Sequence, residues 1–283
     1  MYIGRFAPSP TGPLHMGSLV AAVASWLDAR AAGGRWLVRI EDLDQPRCVP
    51  GADDEILRSL ERLGLGWDGE VVHQSRRQHQ YRDALQRLQG HTYWCNCTRR
   101  EIADSSLGLA VDGAHIYPGT CRAAGLATGR ALRLDTDGAE IGFNDRVQGS
   151  QAQVLERDVG DFVLYRADGL YAYQLAVVVD DGAQGVTDVV RGADLMDSTP
   201  RQIALQRLLG LPTPRYLHVP AVVNAAGEKL SKQTGAAPIT PSWASVRKAL
   251  DFLAQPKADS LEEAVENWNP ALIPARRTSP TGL

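Results

Sequence analysis

Apolar residues recur every three or four positions from about His15 to Ala32, where Leu19, Val20, Val23, Trp26 and Leu27 mark one helical face. Gly33-Gly34 then closes the predicted helix. Ahead of it, Tyr2 to Phe6 reads as a short strand and Ala7 to Pro13 as a Pro/Gly-rich loop. Trp36 to Ile40 is a second predicted strand, with Glu41-Asp42 at its C-terminal end. Asp53 to Leu63 and Arg76 to Leu88 carry amphipathic helical spacing on either side of a short strand, Val71 to His73. Such strand–helix alternation predicts a parallel α/β sheet. The pattern breaks near Tyr93 into glycines, cysteines and short alternating runs such as Ala131 to Leu134 and Phe162 to Tyr165. Beyond these, Tyr171 to Val179 and Val186 to Val190 read as buried strands, Leu195 to Leu209 as a helix and Tyr216 to Asn224 as a strand. The last stretch reads as two short helices and a Pro-rich tail. The expected division is an α/β core in two halves, residues 1–93 and 166–240, split by a mixed α/β insertion, 94–165, and followed by a short helical segment, 241–283.

Composition narrows this picture rather than changing it. With 283 residues, 44% apolar and 22% charged, the chain has the balance of a soluble globular protein of roughly two domains. Apolar stretches such as Leu175 to Val179 are far short of the roughly 20 residues that cross a bilayer. No basic, apolar leader opens the sequence, so the expected setting is cytoplasmic, with no membrane partner. A net charge of −3 offers no overall basic signal for a nucleic-acid partner, although a local basic face remains compatible with it. Arginines outnumber lysines 26 to 4, which reads as genomic base composition, and two of the four lysines fall within Lys229 to Gln233.

Residues 5 to 18 read Arg-Phe-Ala-Pro-Ser-Pro-Thr-Gly-Pro-Leu-His-Met-Gly-Ser, a strand, a loop and a helix start. A helix N-terminus carries free N–H groups and partial positive charge, which favour phosphate; Gly12 and Gly17 allow close backbone approach, and His15 can donate to a phosphate oxygen. A Pro-rich turn with a capping His is the plainer alternative. Glu-Lys-Leu-Ser-Lys-Gln, residues 228 to 233, places two lysines three apart, where they could wrap a triphosphate or simply decorate a solvated turn. Arg5, Glu41 and Arg191 each follow or lie on a predicted strand, and arginine forks suit carboxylates. Cys95, Cys97 and Cys121 cluster, whereas Cys48 stands alone and reads as structural; clustered thiols in this setting point to metal, with His115, Tyr117 or water as the fourth donor.

In combination these motifs resemble those of the glutamyl-tRNA synthetases. His15-Met16-Gly17-Ser18 resembles the HIGH signature of class I aminoacyl-tRNA synthetases, and Arg5 to Gly12 resembles the opening of the glutamyl enzymes. Lys229-Leu230-Ser231-Lys232-Gln233 resembles the KMSKS loop, with Gln at its last position. Arg39-Ile40-Glu41-Asp42, Tyr173-Gln174-Leu175-Ala176, Val179-Asp180-Asp181 and Asp188-Val189-Val190-Arg191-Gly192 resemble further blocks of the same family. The resemblance covers roughly residues 3 to 240 and implies a Rossmann-like catalytic core. It implies ATP contacts at His15, Gly17, Ser18, Lys229, Leu230, Ser231 and Lys232, with His15 and Lys232 catalytic. It also implies a glutamate site made by Arg5, Phe6, Ala7, Pro8, Ser9, Glu41, Tyr173 and Arg191, with Glu41 taking the α-ammonium. The spacing Cys-x-Cys followed by Tyr-x-x-x-Cys is similar to a zinc site in short relatives, which implies one structural Zn²⁺ on Cys95, Cys97, Tyr117 and Cys121, alongside Mg²⁺ brought with ATP.

Only some 40 residues follow the core, too few for an anticodon-reading domain, and Val177 stands where many glutamyl-tRNA synthetases have Asn. The chain therefore resembles the truncated branch that activates glutamate without tRNA and transfers it to queuosine in the anticodon of tRNA(Asp). L-glutamate, ATP and that tRNA are the implied partners of a monomer. The rival expectations are an enzyme charging the 3′ end of tRNA(Glu), a non-catalytic tRNA-binding paralogue and a nucleotidyltransferase for another acid such as aspartate.

Overall fold

Proline and glycine punctuate the chain where its elements end. The computed structural model describes residues 1–106, 108–110, 113–224, 227 and 237–280. The first half alternates as β1 (Ile3–Phe6), α1 (Met16–Ala31), β2 (Arg35–Ile40), α2 (Ala52–Arg62), β3 (Val72–His73) and α3 (Gln78–Arg87). A middle stretch carries β4 (Thr92–Cys95), α4 (Arg99–Ser105), β5 (Ala131–Leu134), β6 (Glu140–Asp145), β7 (Gly149–Val154), α5 (Leu155–Asp158) and β8 (Val163–Tyr165). The second half follows as α6 (Tyr173–Ala183), β9 (Asp188–Gly192), α7 (Thr199–Leu208), β10 (Arg215–Val219) and β11 (Ala221–Val223), closed by α8 (Trp243–Phe252), α9 (Leu261–Glu266) and β12 (Thr278–Pro280).

Strands β1, β2 and β3 pair in parallel, as do β9 and β10. The Thr187 N–H, just before β9, donates to the Ile3 carbonyl at 2.9 Å and brings β9 alongside β1. Right-handed crossovers of this kind leave ligand space beyond the strand C-termini. Strands β4, β5 and β8 form a separate antiparallel sheet. Residues 140–145, within the stretch expected to be an insertion, do not stay with it: β6 pairs with β10 through Tyr216 and Asp145, and β7 folds back on β6.

Helix α1 is apolar nearly all round, with Leu19, Val20, Val23 and Leu27 buried, so it is a core helix rather than a surface one. Its one buried carboxylate, Asp28, accepts from the Tyr2 hydroxyl (2.5 Å), the Trp268 indole (3.0 Å) and both terminal nitrogens of Arg146, tying the helix to β1, the β6–β7 turn and the C-terminal segment.

Three expectations change. Tyr171 to Val179 is not a strand but the start of helix α6. A run of buried apolar residues satisfies either element, and here Leu175, Ala176, Val177 and Val178 are all buried because the helix is covered on several sides. Val177 sits in an apolar cluster with Leu134, Leu164 and Leu205. The expected strand Tyr216 to Asn224 divides at Pro220, which has no N–H for a ladder. The expected helix Leu195 to Leu209 begins as a 3₁₀ turn, Ala193–Ser198, and becomes α-helical only from Thr199. The Pro-rich tail supplies β12, which pairs in parallel with β11.

Candidate active site

The loop between β1 and α1 turns at Gly12, whose φ of 137° suits glycine. His15 then caps α1. Its Nδ1 accepts from the Gly17 N–H (3.1 Å) and the Ser18 N–H (3.4 Å), while the Ser18 hydroxyl accepts from the His15 N–H at 2.9 Å. An Nδ1 that accepts leaves Nε2 to carry the proton of the neutral ring. The helix start thus spends two of its amides on His15, and its positive end reaches the cavity partly through the imidazole.

That cavity, about 470 Å³, opens where β1, β2, β9 and β10 end. Arg5, Phe6, Ala7, Ser9, His15, Gly17, Ser18, Glu41, Tyr173 and Arg191 all line it, joined by Arg47 and Asp194. Pro8 is buried behind the wall, where its carbonyl accepts the Glu41 N–H at 2.9 Å. Phe6 stacks on Trp36 with ring centroids 6.1 Å apart.

The charges beneath this wall are closely interlocked. Asp181 accepts from Arg5 Nε (3.3 Å) and Arg39 Nη1 (2.8 Å). Arg39, fully buried, also donates to Gln184 (2.7 Å) and to Glu41 (3.4 Å). Asp180 accepts from Arg77 (2.6 Å), Gln74 (2.8 Å) and the Tyr81 hydroxyl (2.8 Å). Burial would raise the Asp181 pKa, but Arg5 and Arg39 outweigh it and hold this carboxyl below its ordinary value. Glu41 goes the other way: burial pushes its pKa up, and Arg39 and Arg5 only partly offset that. Glu41 is therefore less fully compensated than Asp181, and it lines a cavity sized for a small ligand.

Arg191, at 4% exposure, projects from β9. Its Nε donates to His218 Nε2 (3.1 Å) and its Nη2 to the Thr199 hydroxyl (2.8 Å), whereas its Nη1 has no hydrogen-bond partner among the described residues. A buried guanidinium nitrogen without an acceptor is costly unless a ligand supplies one. Arginine forks grip carboxylates, so an acid substrate suits this position.

The thiols meet elsewhere. Sulfurs of Cys95, Cys97 and Cys121 all lie within 4.8 Å of one another. The Tyr117 hydroxyl is 3.4 Å from Cys95 Sγ and 3.5 Å from Cys97 Sγ, and Cys97 and Cys121 are 3.6 Å apart. Tetrahedral zinc with arms of about 2.3 Å separates its sulfurs by about 3.8 Å, so these spacings fit such an ion with little adjustment. His115 is exposed and is not part of the cluster. The guanidinium of Arg133 lies 4.0 Å from the Tyr117 ring centroid and favours negative charge there. Gly160 backs Tyr117 so closely that a Cβ would fall 2.8 Å from its amide nitrogen. Cys48 is remote from this group and donates to the Asp44 carbonyl at 3.4 Å.

Lys229, Leu230, Ser231, Lys232 and Gln233 lie outside the described residues. Sequence reading missed the parts played by Asp180 and Asp181 beneath the cavity and by Thr199, His218 and Asp145 behind Arg191. For His218 the available signal was a polar residue inside the apolar strand β10, and for Asp180 and Asp181 it was their place in a block that resembles the family.

A family model described as the catalytic domain of class I tRNA synthetases (E and Q) matches residues 3–253. The chain is similar to the glutamyl-Q tRNA(Asp) synthetase of Cupriavidus metallidurans, with 64% identity over 243 residues, 83% of this chain and 78% of that one. It is likewise similar to the protein of the same name from Dechloromonas aromatica, with 58% identity over 276 residues, 94% of this chain and 91% of that one. In fold it is similar to a glutamate–tRNA synthetase from Elizabethkingia anophelis, with a TM-score of 0.80 at 23% identity, over 99% of this chain and 68% of that one.

Proposed function

The chain belongs to the family of class I tRNA synthetase catalytic domains for E and Q, and from that membership we propose that it activates L-glutamate with ATP, without needing tRNA, and passes it to queuosine in the anticodon of tRNA(Asp). The observation that carries the chemistry is the cavity itself. Arg5 and Arg191 offer guanidinium groups and Glu41 an underneutralised carboxylate, beside a helix start capped by His15. Glutamate has the complementary charges: two carboxylates and one ammonium.

Glu41 takes the ammonium, and Arg5, Tyr173 and Arg191, with the wall from Phe6 to Ser9, hold the carboxylates. A glutamate α-carboxylate oxygen then attacks the α-phosphorus of ATP in line, and pyrophosphate leaves. His15 Nε2–H, the α1 terminus around Gly17 and Ser18, and the segment Lys229 to Lys232 stabilise the charge that builds on the phosphate, with Lys232 as the catalytic lysine and Lys229 in support. Mg²⁺ brought with ATP would supply further positive charge at the phosphate oxygens. A hydroxyl of the tRNA next attacks the carbonyl of the mixed anhydride, and AMP leaves. No residue of the protein becomes covalently attached. Cys95, Cys97, Tyr117 and Cys121 hold one zinc ion, whose closed donor set makes it structural, and the chain acts as a monomer.

Glutamate-dependent exchange of pyrophosphate into ATP, without tRNA, tests the first half. Exchange with glutamate and not with aspartate or glutamine is expected. Absence of exchange in the presence of all three would overturn tRNA-independent activation. Transfer of labelled glutamate to tRNA(Asp) carrying queuosine, and not to the same tRNA lacking it or to tRNA(Glu), tests the second half.

A further inference from the structure

We infer that Asp145 and His218 form a positioning relay that fixes the Arg191 guanidinium in the cavity wall, and so set the affinity for the substrate carboxylate. The inference rests on the glutamate-activating reading above and deepens it. Of the three groups only Arg191 is legible from the motifs, because each lies on a different strand: Asp145 ends β6, Arg191 lies on β9 and His218 on β10.

The chemistry is a matter of donors and acceptors. Arginine has five N–H donors and no acceptor, so whatever orients it must accept. His218 Nδ1 lies 2.7 Å from Asp145 Oδ2, and its Nε2 lies 3.1 Å from Arg191 Nε. A carboxylate at Nδ1 requires the proton there, which leaves Nε2 as the acceptor facing Arg191. Asp145 is itself fixed, since its Oδ1 accepts from the amides of Val147 (3.0 Å), Gln148 (2.8 Å) and His218 (3.2 Å). Burial, aided by Arg191, takes the His218 pKa down to about 4, so the ring remains a neutral acceptor throughout the physiological range. Tyr216 stacks on His218 at 8° between ring planes, and Arg191 lies 5.6 Å from the Tyr216 ring centroid, which limits sideways movement of both groups.

The consequence is directional. His218, Thr199 and the Leu195 carbonyl take the Nε and Nη2 donors of Arg191, a residue of the cavity wall, and its Nη1 has no hydrogen-bond partner among the described residues. Without the relay the guanidinium keeps its charge but loses its aim. Preorganised donors contribute more to binding than mobile ones because less ordering remains to be done.

Steady-state pyrophosphate exchange on the full chain tests this with three variants. His218→Phe keeps a ring and removes both nitrogens. Asp145→Asn offers an amide donor to Nδ1, which turns Nε2 into a donor facing the Arg191 donor. His218→Gln restores an acceptor near the Nε2 position. The expected result is a KM for glutamate raised about tenfold or more in the first two, with the KM for ATP unchanged and the glutamine conversion by His218→Gln recovering part of the loss. Equal KM for glutamate in wild type and Asp145→Asn, or parallel rises in both KM values across the set, would overturn the relay. If His218→Phe does not fold, Asp145→Asn and His218→Gln carry the same test. A wild type without exchange would instead sink the glutamate-activating reading, so the two failures are distinguishable.

Discussion

The cavity and the thiol cluster pose opposite electrostatic problems. Under the cavity, Arg5, Arg39, Asp180 and Asp181 interlock in a buried network drawn from three separate elements, β1, β2 and α6. Glu41, whose pKa burial raises, and Arg191, whose buried Nη1 has no hydrogen-bond partner among the described residues, both line the cavity. At the cluster, three thiols and a phenol converge, and every one becomes negative when it deprotonates. Arg133 over the Tyr117 ring is a single compensating cation. The chain can therefore build the first site from its own residues, whereas the second gathers like charges that only a cation can reconcile.

Removing that cation separates the two regions most sharply. Stripping zinc with a chelator, or replacing Cys97 by Ser, is expected to reduce transfer to tRNA by about 100-fold while glutamate-dependent exchange stays within about threefold, because the two sites share no residue. Metal content measured by atomic emission, one zinc per chain before treatment, accompanies the assay. Equal loss of exchange and transfer would show that the cluster supports the whole core rather than its own sheet.

What was readable from sequence follows the same division. The thiol donors lie close together in the chain, from Cys95 to Cys121, so spacing alone nearly assembles them, and the Tyr117 hydroxyl lies 3.4–3.5 Å from two of the sulfurs. Strand β1, helix α1 and the cap at His15 were equally legible, since glycine, proline and helical periodicity act locally. The cavity floor was not. Arg39 meets Asp181 across 142 positions and Arg5 meets it across 176, and no local pattern encodes such partners. Helix α6 was misread because its valines favour strands in general, whereas burial on several sides makes helix and strand look alike. The parts of Asp145 and His218 surfaced only when β6 joined β10, a pairing hidden inside the expected insertion.

The weaker compensation of Glu41 can be tested directly. Glu41→Gln keeps the shape and deletes the charge. A charge-assisted hydrogen bond contributes about 1.5–3 kcal/mol, so the KM for glutamate should rise about 10- to 150-fold in the exchange assay, with the KM for ATP unaffected. An unchanged KM would mean that the ammonium is held elsewhere and that Glu41 belongs to the structural network with Asp181.

The mildest probe is pH, and its sign distinguishes a ligand-ready carboxylate from a structural one. Glu41 has its pKa raised by burial, so in the free protein it takes up a proton at higher pH than an ordinary carboxylate. Ammonium binding requires the ionised form. As pH falls through that raised value, the KM for glutamate should climb by about tenfold per unit, a break that begins above the titration of glutamate's own side chain. Stability runs the other way. A carboxyl whose folded pKa is raised destabilises the fold once ionised, so its contribution falls as pH rises from the ordinary value to the raised one. Asp28, Asp145 and Asp181 have lowered pKa values and contribute stability that is present above the ordinary carboxylate value and lost on acidification, so the total curve masks Glu41. The difference between wild type and Glu41→Gln isolates it: on mild acidification the wild type should lose glutamate affinity while gaining melting temperature relative to the variant. Movement of both quantities in the same direction would place Glu41 with the interlocked carboxylates below the cavity rather than with the ligand above it.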